Sequence, residues 1–237
     1  MNLKRYNRKY FRHKIYDSSI KKTIRSMIDR KRIQKRYPYL LKNFHEKKED
    51  YKHKLLPFYE RYINEISNEI MAASLELIIF CIVVCDMIKP KKILDLGSGF
   101  SSFAFRYLPL LLNHEFMPEV WSVDDSQEWI NKTKLFLTSN DVMNGNHLIT
   151  WKELTKEDSY LFDFVLYDIG GFPFRMEAFE QTIKFVNENG IMIVDDMHSA
   201  EFGLFVQKVL KNNGIPFFDL RYYTLDKINR YSLLVPF

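Results

Sequence analysis

The sequence is short of the residues that mark several classes of protein. It contains only two cysteines among 237 residues, and Cys81 and Cys85 lie four positions apart within one apolar run. One helix would carry both as buried thiols, because neighbouring turns of a helix do not offer disulfide geometry. Eight glycines and eight prolines exclude a collagen-like or low-complexity chain. We therefore expect a folded protein in a reducing compartment.

A secretory signal and a long hydrophobic run are also missing. The N-terminal stretch is rich in Lys and Arg and has no apolar segment followed by small residues, so no cleaved signal is expected. Residues 70–88 are strongly apolar, but Glu76 interrupts them, and the uncharged part is much shorter than the ~20 residues of a membrane span. This pattern predicts a buried helix that ends before Pro90, in a cytoplasmic protein.

Acidic residues are scarce at the start of the chain. Residues 1–36 carry 14 Lys and Arg against two acids, a net charge of +12, whereas the remainder carries −7. Among these charges, apolar residues recur at the spacing of an amphipathic helix over 19–37. These residues are Ile20, Ile24, Met27 and Ile28. The helix could bind an anionic membrane surface or lipid-linked substrate, contact nucleic-acid phosphates, or lie against its own domain. The acidic remainder argues against nucleic acid.

Beyond Pro90, short β-rich apolar runs alternate with helical segments. The predicted strands are KILDL, VWSV, LITW, FDFVLY and GIMIV, and helices are predicted over 101–112, 127–138, 176–187 and 201–212. Such alternation is typical of a parallel sheet with helices on both faces. The last two runs, PFFDLRYY and RYSLLVPF, are joined by a short polar turn without a predicted helix. They are expected to form an antiparallel pair.

The ends of the first two predicted strands carry candidate ligand-binding residues. The segment DLGSG, from Asp95 to Gly99, allows a tight turn and the close approach of a ligand to bare backbone. Ser102 replaces the third glycine of a dinucleotide fingerprint, and an acid inside the strand favours a cationic ligand over a pyrophosphate. The second strand ends at Asp124, whose carboxylate could accept hydrogen bonds from two ribose hydroxyls. Asp125 is expected to cap the following helix.

These motifs resemble those of the class I S-adenosylmethionine-dependent methyltransferases. Asp95-x-Gly97-x-Gly99 is similar to the first motif of that family, and Asp124 matches its ribose-binding acid. The resemblance implies that S-adenosylmethionine is bound by Asp95, Gly97, Gly99, Asp124 and Asp168. Within that set, the two glycines would pass beneath the methionine part, and Asp95 would serve the ammonium group directly or through water.

The resemblance covers roughly residues 68–237 and implies the fold of that domain. The expected class is α/β, with a Rossmann-like, mostly parallel sheet of seven strands in the order 3-2-1-4-5-7-6 and an antiparallel last strand. Residues 1–67 would form a basic helical N-terminal extension.

Three carboxylates and a histidine follow the fourth and fifth predicted strands. Asp168, Asp195 and Asp196 could hold a hard divalent cation such as Mg²⁺, which would orient acceptor oxygens and lower the pKa of one of them. This set resembles that of metal-dependent O-methyltransferases of the catechol and macrolide-sugar types, although no catechol-type lysine is identified. His198 could act as a base or be a surface or helix-capping histidine, and turn chemistry is the alternative for the acid pair. Arg175 could bind an anionic substrate group or only decorate a helix.

We therefore predict methyl transfer from S-adenosylmethionine to an oxygen of a small hydroxylated metabolite or sugar, with Asp168 and His198 as catalytic residues. The alternatives are an RNA methyltransferase that uses the basic arm, and a non-catalytic binding module on the same fold. The loop after the fourth strand, Asp168-Ile-Gly-Gly, does not match the loop of DNA adenine methyltransferases. The two cysteines lie far from the strand ends, which excludes cysteine-based pyrimidine methylation.

Overall fold

A computed structural model describes residues 23–113, 116–143, 147–157 and 159–237 of the chain. The start of the predicted amphipathic helix, including Ile20, and the rest of the N-terminal arm up to residue 22 lie outside the described residues. The described helices are α1 (23–36), α2 (Pro38–Glu65), α3 (Leu75–Ile88), α4 (Phe100–Leu111), α5 (Gln127–Ser139), α6 (Trp151–Leu154), α7 (Phe172–Ile183), α8 (Ala200–Asn212) and α9 (Arg221–Thr224). The strands are β1 (Lys92–Leu96), β2 (Glu119–Asp124), β3 (Leu148–Thr150), β4 (Phe162–Tyr167), β5 (Val186–Val194), β6 (Phe218–Asp219) and β7 (Leu233–Pro236).

The seven strands form one sheet in the order β3-β2-β1-β4-β5-β7-β6, which confirms the predicted topology. Strands β1 to β5 pair in parallel, and β7 runs antiparallel to both β5 and β6. Alternate residues of β1 serve opposite faces: Ile93 packs with the helices of one core, and Leu94 packs into the other. The carboxyl ends of β1, β2 and β4 therefore meet at one edge, where ligands of such sheets bind.

Three local predictions were wrong. The helix expected over 176–187 begins earlier, at Phe172, because Pro173 lies in its first turn, and it ends at Ile183, before β5 starts at Val186. Trp151 does not end β3 but begins α6, because Thr150 and Glu153 form a capping box there. A one-turn helix, α9, lies between the last two strands, where no helix was expected.

The apolar segment before Pro90 forms a buried helix, as the sequence predicts, but the helix begins at Leu75 and leaves residues 70–74 outside it. In α3, every residue from Leu77 to Cys85 is buried, and Cys81 and Cys85 are free thiols. Ser74 caps its N-terminus, and Lys89 ends it in the left-handed conformation. Among the described residues, none of the helices combines the length and apolar character that crossing a membrane requires.

Helix α2 packs into the core of the sheet-bearing part of the chain. It is 28 residues long and lies against α3 and α4. The residues that it buries are Leu40, Phe44, Tyr51, Leu55, Tyr59 and Tyr62. The ring of Tyr62 packs edge-on against Phe136 of α5, with 5.0 Å between centroids. The division of the chain at residues 67 and 68 stays a prediction.

Helix α1 has one anchored face and one exposed apolar face. Ile33 is fully buried, and Asp29 Oδ2 accepts a hydrogen bond from the backbone N–H of Asp219 at 3.1 Å, which joins α1 to β6. By contrast, Ile24, Met27 and Ile28 are 50%, 64% and 45% exposed. The described part of the predicted amphipathic helix is therefore helical, but its apolar stripe is only partly covered.

Candidate active site

A cleft of about 340 Å³ opens at the carboxyl ends of β1, β2 and β4. Its volume lies within the range of small-molecule sites, which starts at about 300 Å³. It is walled by the turn after β1, the acids after β2, the loop after β4 and parts of α2 and the α2–α3 connection. The lining residues are Tyr62, Met71, Ala73, Gly97, Ser98, Ser101, Asp124, Asp125, Ser126, Trp129, Asp168, Gly170, Gly171 and Arg175.

The turn after β1 brings two strand ends into close contact. Gly97 has a φ of +102°, and a Cβ there would lie 2.5 Å from the carbonyl oxygen of Asp168. Only glycine fits this combination of backbone conformation and space. A Cβ at Gly99 would lie 2.8 Å from the hydroxyl of Tyr62. Close packing and backbone conformation therefore require glycine at position 97, whereas a side chain at position 99 would have to displace the hydroxyl end of Tyr62.

Asp95 lies beneath this turn and does not line the cleft. Its side chain is fully buried, and its Oδ2 accepts hydrogen bonds from Ser102 Oγ at 2.5 Å and Ser122 Oγ at 3.1 Å. Its Oδ1 is buried without a hydrogen-bond partner among the described residues. Burial raises the pKa of Asp95 to about 6. The direct or water-mediated role expected for Asp95 toward an ammonium group stays a prediction.

Asp124 is placed in the cleft wall and organises the turn. Its Oδ2 accepts from the backbone N–H of Ser98 at 2.8 Å, and its Oδ1 accepts from that of Ser126 at 2.9 Å. Oδ2 also accepts from Ser98 Oγ at 3.2 Å, so Oδ1 is the oxygen that retains acceptor capacity for a ligand hydroxyl. Burial raises the pKa of Asp124 to about 6, and the neighbouring charge of Asp125 acts in the same direction. The cap of α5 is Ser126, which accepts from Trp129, so the capping role predicted for Asp125 was wrong.

The acids after β4 and β5 come together as the sequence predicts. Tyr167 and Val194 are paired at the ends of these strands, and one oxygen each of Asp168, Asp195 and Asp196 lies within 4.8 Å of the others. Asp168 lines the cleft, whereas Asp195 and Asp196 do not.

Each acid of this cluster has its own surroundings. Burial raises the pKa of Asp168, and Arg175 opposes that effect. Burial also raises the pKa of Asp195 to about 6, and its Oδ1 accepts from Ser232 Oγ at 2.7 Å. Asp196 has a φ of +59°, a left-handed backbone that an aspartate tolerates better than most residues.

Arg175 occupies the space between the acids. Its guanidinium lies 2.7 Å from Asp168 Oδ1 and 2.8 Å from Asp196 Oδ2. The residues therefore do not fit the predicted Mg²⁺ well, because an internal cation already contacts two of its three expected ligands. His198 is near the same cluster, with Nδ1 3.4 Å from Asp196 Oδ1 and a side chain that is 39% exposed.

Sequence reasoning missed the contribution of the N-terminal part of the chain to the cleft. Tyr62 reaches the cleft from α2, 35 residues before Gly97, and no motif marks it. Met71 and Ala73 line the cleft from the connection between α2 and α3. Arg230 fixes this connection, because Nη1 donates to the carbonyls of Ile70 and Ala72 at 2.8 and 3.0 Å. Hydropathy patterns carry no signal for such contacts.

Solved structures share this fold, although no protein-family model and no curated protein matches the chain. A Podospora anserina methyltransferase bound to S-adenosylhomocysteine aligns with a TM-score of 0.57 and 14% identity, over 76% of this chain and 86% of its own. The O-methyltransferase TomG of Streptomyces achromogenes, in complex with S-adenosylmethionine, aligns with 0.54 and 14%, over 74% and 85%. A Bacillus cereus O-methyltransferase in complex with S-adenosylhomocysteine aligns with 0.55 and 12%, over 79% and 94%. The predicted class I methyltransferase fold is thereby confirmed.

Proposed function

We propose that the protein is an S-adenosylmethionine-dependent methyltransferase. The observation that carries this proposal is the convergence of the Gly97 turn and the Asp124 carboxylate on one cleft at the strand ends. Three proteins of similar fold were crystallised with S-adenosylmethionine or its demethylated product. The fold alone does not decide function, so the proposal rests on the cleft itself.

The cleft suits the chemistry of this cofactor, which supplies an electrophilic methyl group on a positively charged sulfonium. Gly97 lets the turn after β1 close against the loop after β4 at the wall where the methionine part would lie, and Asp124 Oδ1 offers an acceptor to the ribose hydroxyls. Asp168 adds an acidic residue to the lining, next to Gly97. Asp95 lies beneath the turn and does not line the cleft, so its Oδ1 would serve the ammonium group through a water molecule.

We propose a small hydroxylated metabolite or sugar as acceptor, methylated at oxygen. The main contribution of the chain would be to align the acceptor oxygen with the methyl carbon. His198 would take the proton of the acceptor hydroxyl at Nε2, while Nδ1 faces Asp196. Asp168 would help to shape the acceptor side of the cleft. The buried thiols of Cys81 and Cys85 are compatible with a reducing cytoplasm.

The exposed stripe of α1 supports an anionic membrane surface or a lipid-linked acceptor as a partner. Ile24, Met27 and Ile28 leave apolar area uncovered, and residues 1–36 carry a net charge of +12. An apolar stripe flanked by cations is what an interfacial helix requires. RNA is an alternative partner for the positive charge of residues 1–36. The net charge of −7 on the rest of the chain would repel RNA and so argues against it.

Calorimetric titration with S-adenosylmethionine tests the proposed function. The wild type should bind one cofactor per chain, and Asp124→Ala should lose most of this binding, because it removes the acceptors at the ribose. Glu180→Gln, on the exposed face of α7, is the matched control and should bind as the wild type does. If the wild type does not bind while its fold is intact, the chain is a non-catalytic module, and the proposal fails.

A further inference from the structure

The acid cluster after β4 and β5 has the arrangement of a cation site. Asp168, Asp195 and Asp196 each offer one carboxylate oxygen, and these oxygens lie within 4.8 Å of one another. When ionised, three carboxylates at that spacing repel one another unless a cation lies among them.

Arg175 supplies a positive charge at this position. It is 8% exposed, and its two terminal nitrogens contact different acids of the cluster. Nη2 lies 2.7 Å from Asp168 Oδ1, and Nη1 donates to Asp196 Oδ2 at 2.8 Å. These are the distances of charge-assisted hydrogen bonds.

The same guanidinium is also fixed by the backbone of the loop after β4. Nε donates to the carbonyls of Ile169 and Gly170, each at 2.9 Å, and Nη2 donates to that of Asp168 at 3.0 Å. Three consecutive carbonyls thus converge on one side chain. If a metal ion displaced Arg175 from the acids, these three carbonyls would lose their hydrogen-bond donor. Leaving such carbonyls without a donor is unfavourable.

The backbone of the loops is shaped to these contacts. Gly170 has a φ of +56°, which turns the chain so that its carbonyl reaches the guanidinium. Asp196 has a φ of +59°, the left-handed conformation, with its Oδ2 on Arg175 and its Oδ1 toward His198. Such a conformation persists only where surrounding contacts hold it.

We infer that Arg175 is the resident cation of the acid cluster, and that it replaces a divalent metal ion there. Asp168 and Asp196 position Arg175, which in turn fixes the loop that borders the cleft. This inference goes beyond the proposed function and does not depend on it, since it concerns which cation the cluster holds. If methyl transfer occurs, no metal bridges two acceptor oxygens, so an acceptor with a single reacting hydroxyl fits as well as a vicinal pair.

Titration with Mn²⁺ tests the inference, with the electron paramagnetic resonance signal of free Mn²⁺ as the readout of binding. The wild type should bind no stoichiometric Mn²⁺, and neither EDTA nor millimolar Mg²⁺ should shift its melting temperature. Arg175→Ala should gain one Mn²⁺ per chain, with at least tenfold tighter binding than the wild type. Arg175→Ala combined with Asp168→Asn should lose that gain. Arg32→Ala, which removes an arginine 3.2 Å from Asp29 on α1, is the control and should gain no site.

Two results would overturn the inference. One is a wild type that binds a single Mn²⁺ and loses it in Asp168→Asn. The other is a folded Arg175→Ala protein that binds no Mn²⁺, because the arginine would then not be what excludes the ion. The titration of the wild type shows whether the cluster binds a metal ion even if Arg175→Ala does not fold. Titration of the wild type with S-adenosylmethionine in parallel separates these outcomes from a failure of the proposed function.

Discussion

The buried carboxylate of Asp95 makes the stability of the protein depend on pH. Its pKa is raised to about 6 by burial, so the folded state binds the proton more tightly than the unfolded chain, where an aspartate titrates near pH 4. Stability from this group is therefore complete below about pH 4 and falls as the pH rises through about 6. Above about pH 6 the native state therefore carries an ionised, buried Asp95, which lowers the free energy of unfolding.

We expect Asp95→Asn to be more stable than the wild type at pH 7.5, by up to about 3 kcal/mol, because the amide carries no charge to desolvate. The gain should disappear at pH 4. Urea unfolding at the two pH values measures it, with the exposed Asp50→Asn as control. A variant that is less stable than the wild type at pH 7.5 would contradict this account of Asp95.

The affinity for S-adenosylmethionine should depend on the protonation of Asp124. Its pKa of about 6 means that the carboxylate is mostly protonated at pH 5 and mostly ionised at pH 7. Binding of the positively charged cofactor should therefore weaken by about tenfold between pH 7 and pH 5. Because Asp95 titrates in the same range, Asp124→Asn should reduce this dependence without abolishing it. Calorimetry at several pH values measures this dependence. An affinity that does not change with pH would show that neither acid contributes to cofactor binding.

At the scale of elements, α2 brings a tyrosine hydroxyl to the cofactor side of the fold. Tyr62→Phe should keep the packing of the ring against Phe136 but weaken the binding of S-adenosylmethionine several-fold, because the hydroxyl that borders Gly99 is lost. Tyr59→Phe is the matched control, since Tyr59 also packs from α2 against Phe100 but does not line the cleft. Equal affinity of both variants would show that the hydroxyl has no part in binding.

Removal of α2 should destroy the fold rather than detach an accessory segment. A chain without residues 1–67 would expose the face of α3 that α2 covers and should be insoluble or largely unfolded, because α2 buries six large side chains. A chain without residues 1–22 should still fold and keep its cofactor affinity. A folded, binding-competent 68–237 fragment would instead support the predicted domain boundary.

The sequence predicts the sheet well because each strand of the parallel part is a short apolar run, and the turn motifs fix two of the strand ends. KILDL and FDFVLY coincide with β1 and β4. The start of α7 was misplaced because Pro173 was counted with the loop, although proline is favoured in the first turn of a helix. The roles of Tyr62 and Arg175 depend on contacts between distant segments, and periodicity contains no information about those.

At the scale of the whole molecule, the charge asymmetry should govern association with surfaces. We expect binding to vesicles that contain anionic lipid, weaker binding to neutral vesicles, and loss of binding as salt is raised, because cations of the arm are screened. Replacing Ile24, Met27 and Ile28 together with serine should reduce vesicle binding at low salt.

A triple variant at Leu110, Leu135 and Leu204 tests whether exposed apolar area alone is responsible. These residues are 51%, 68% and 71% exposed on other helices, so their replacement by serine should leave vesicle binding unchanged. Cosedimentation with vesicles and with RNA decides between partners. Strong RNA binding without vesicle binding would favour the RNA-methylating alternative.

The hydrogen bonds from Arg230 to the connection between α2 and α3 limit when the cleft can form during synthesis. The connection between α2 and α3 leaves the ribosome long before Arg230 does, yet Arg230 holds the carbonyls of Ile70 and Ala72 beside two lining residues of the cleft. Strand β7, which inserts next to β5, follows Arg230 in the chain and emerges after it. A nascent chain that stops before Arg230 can thus have every cofactor motif and still lack a finished cleft. We therefore expect competence to bind to be acquired only after Arg230 has been synthesised, although Arg230 does not line the cleft.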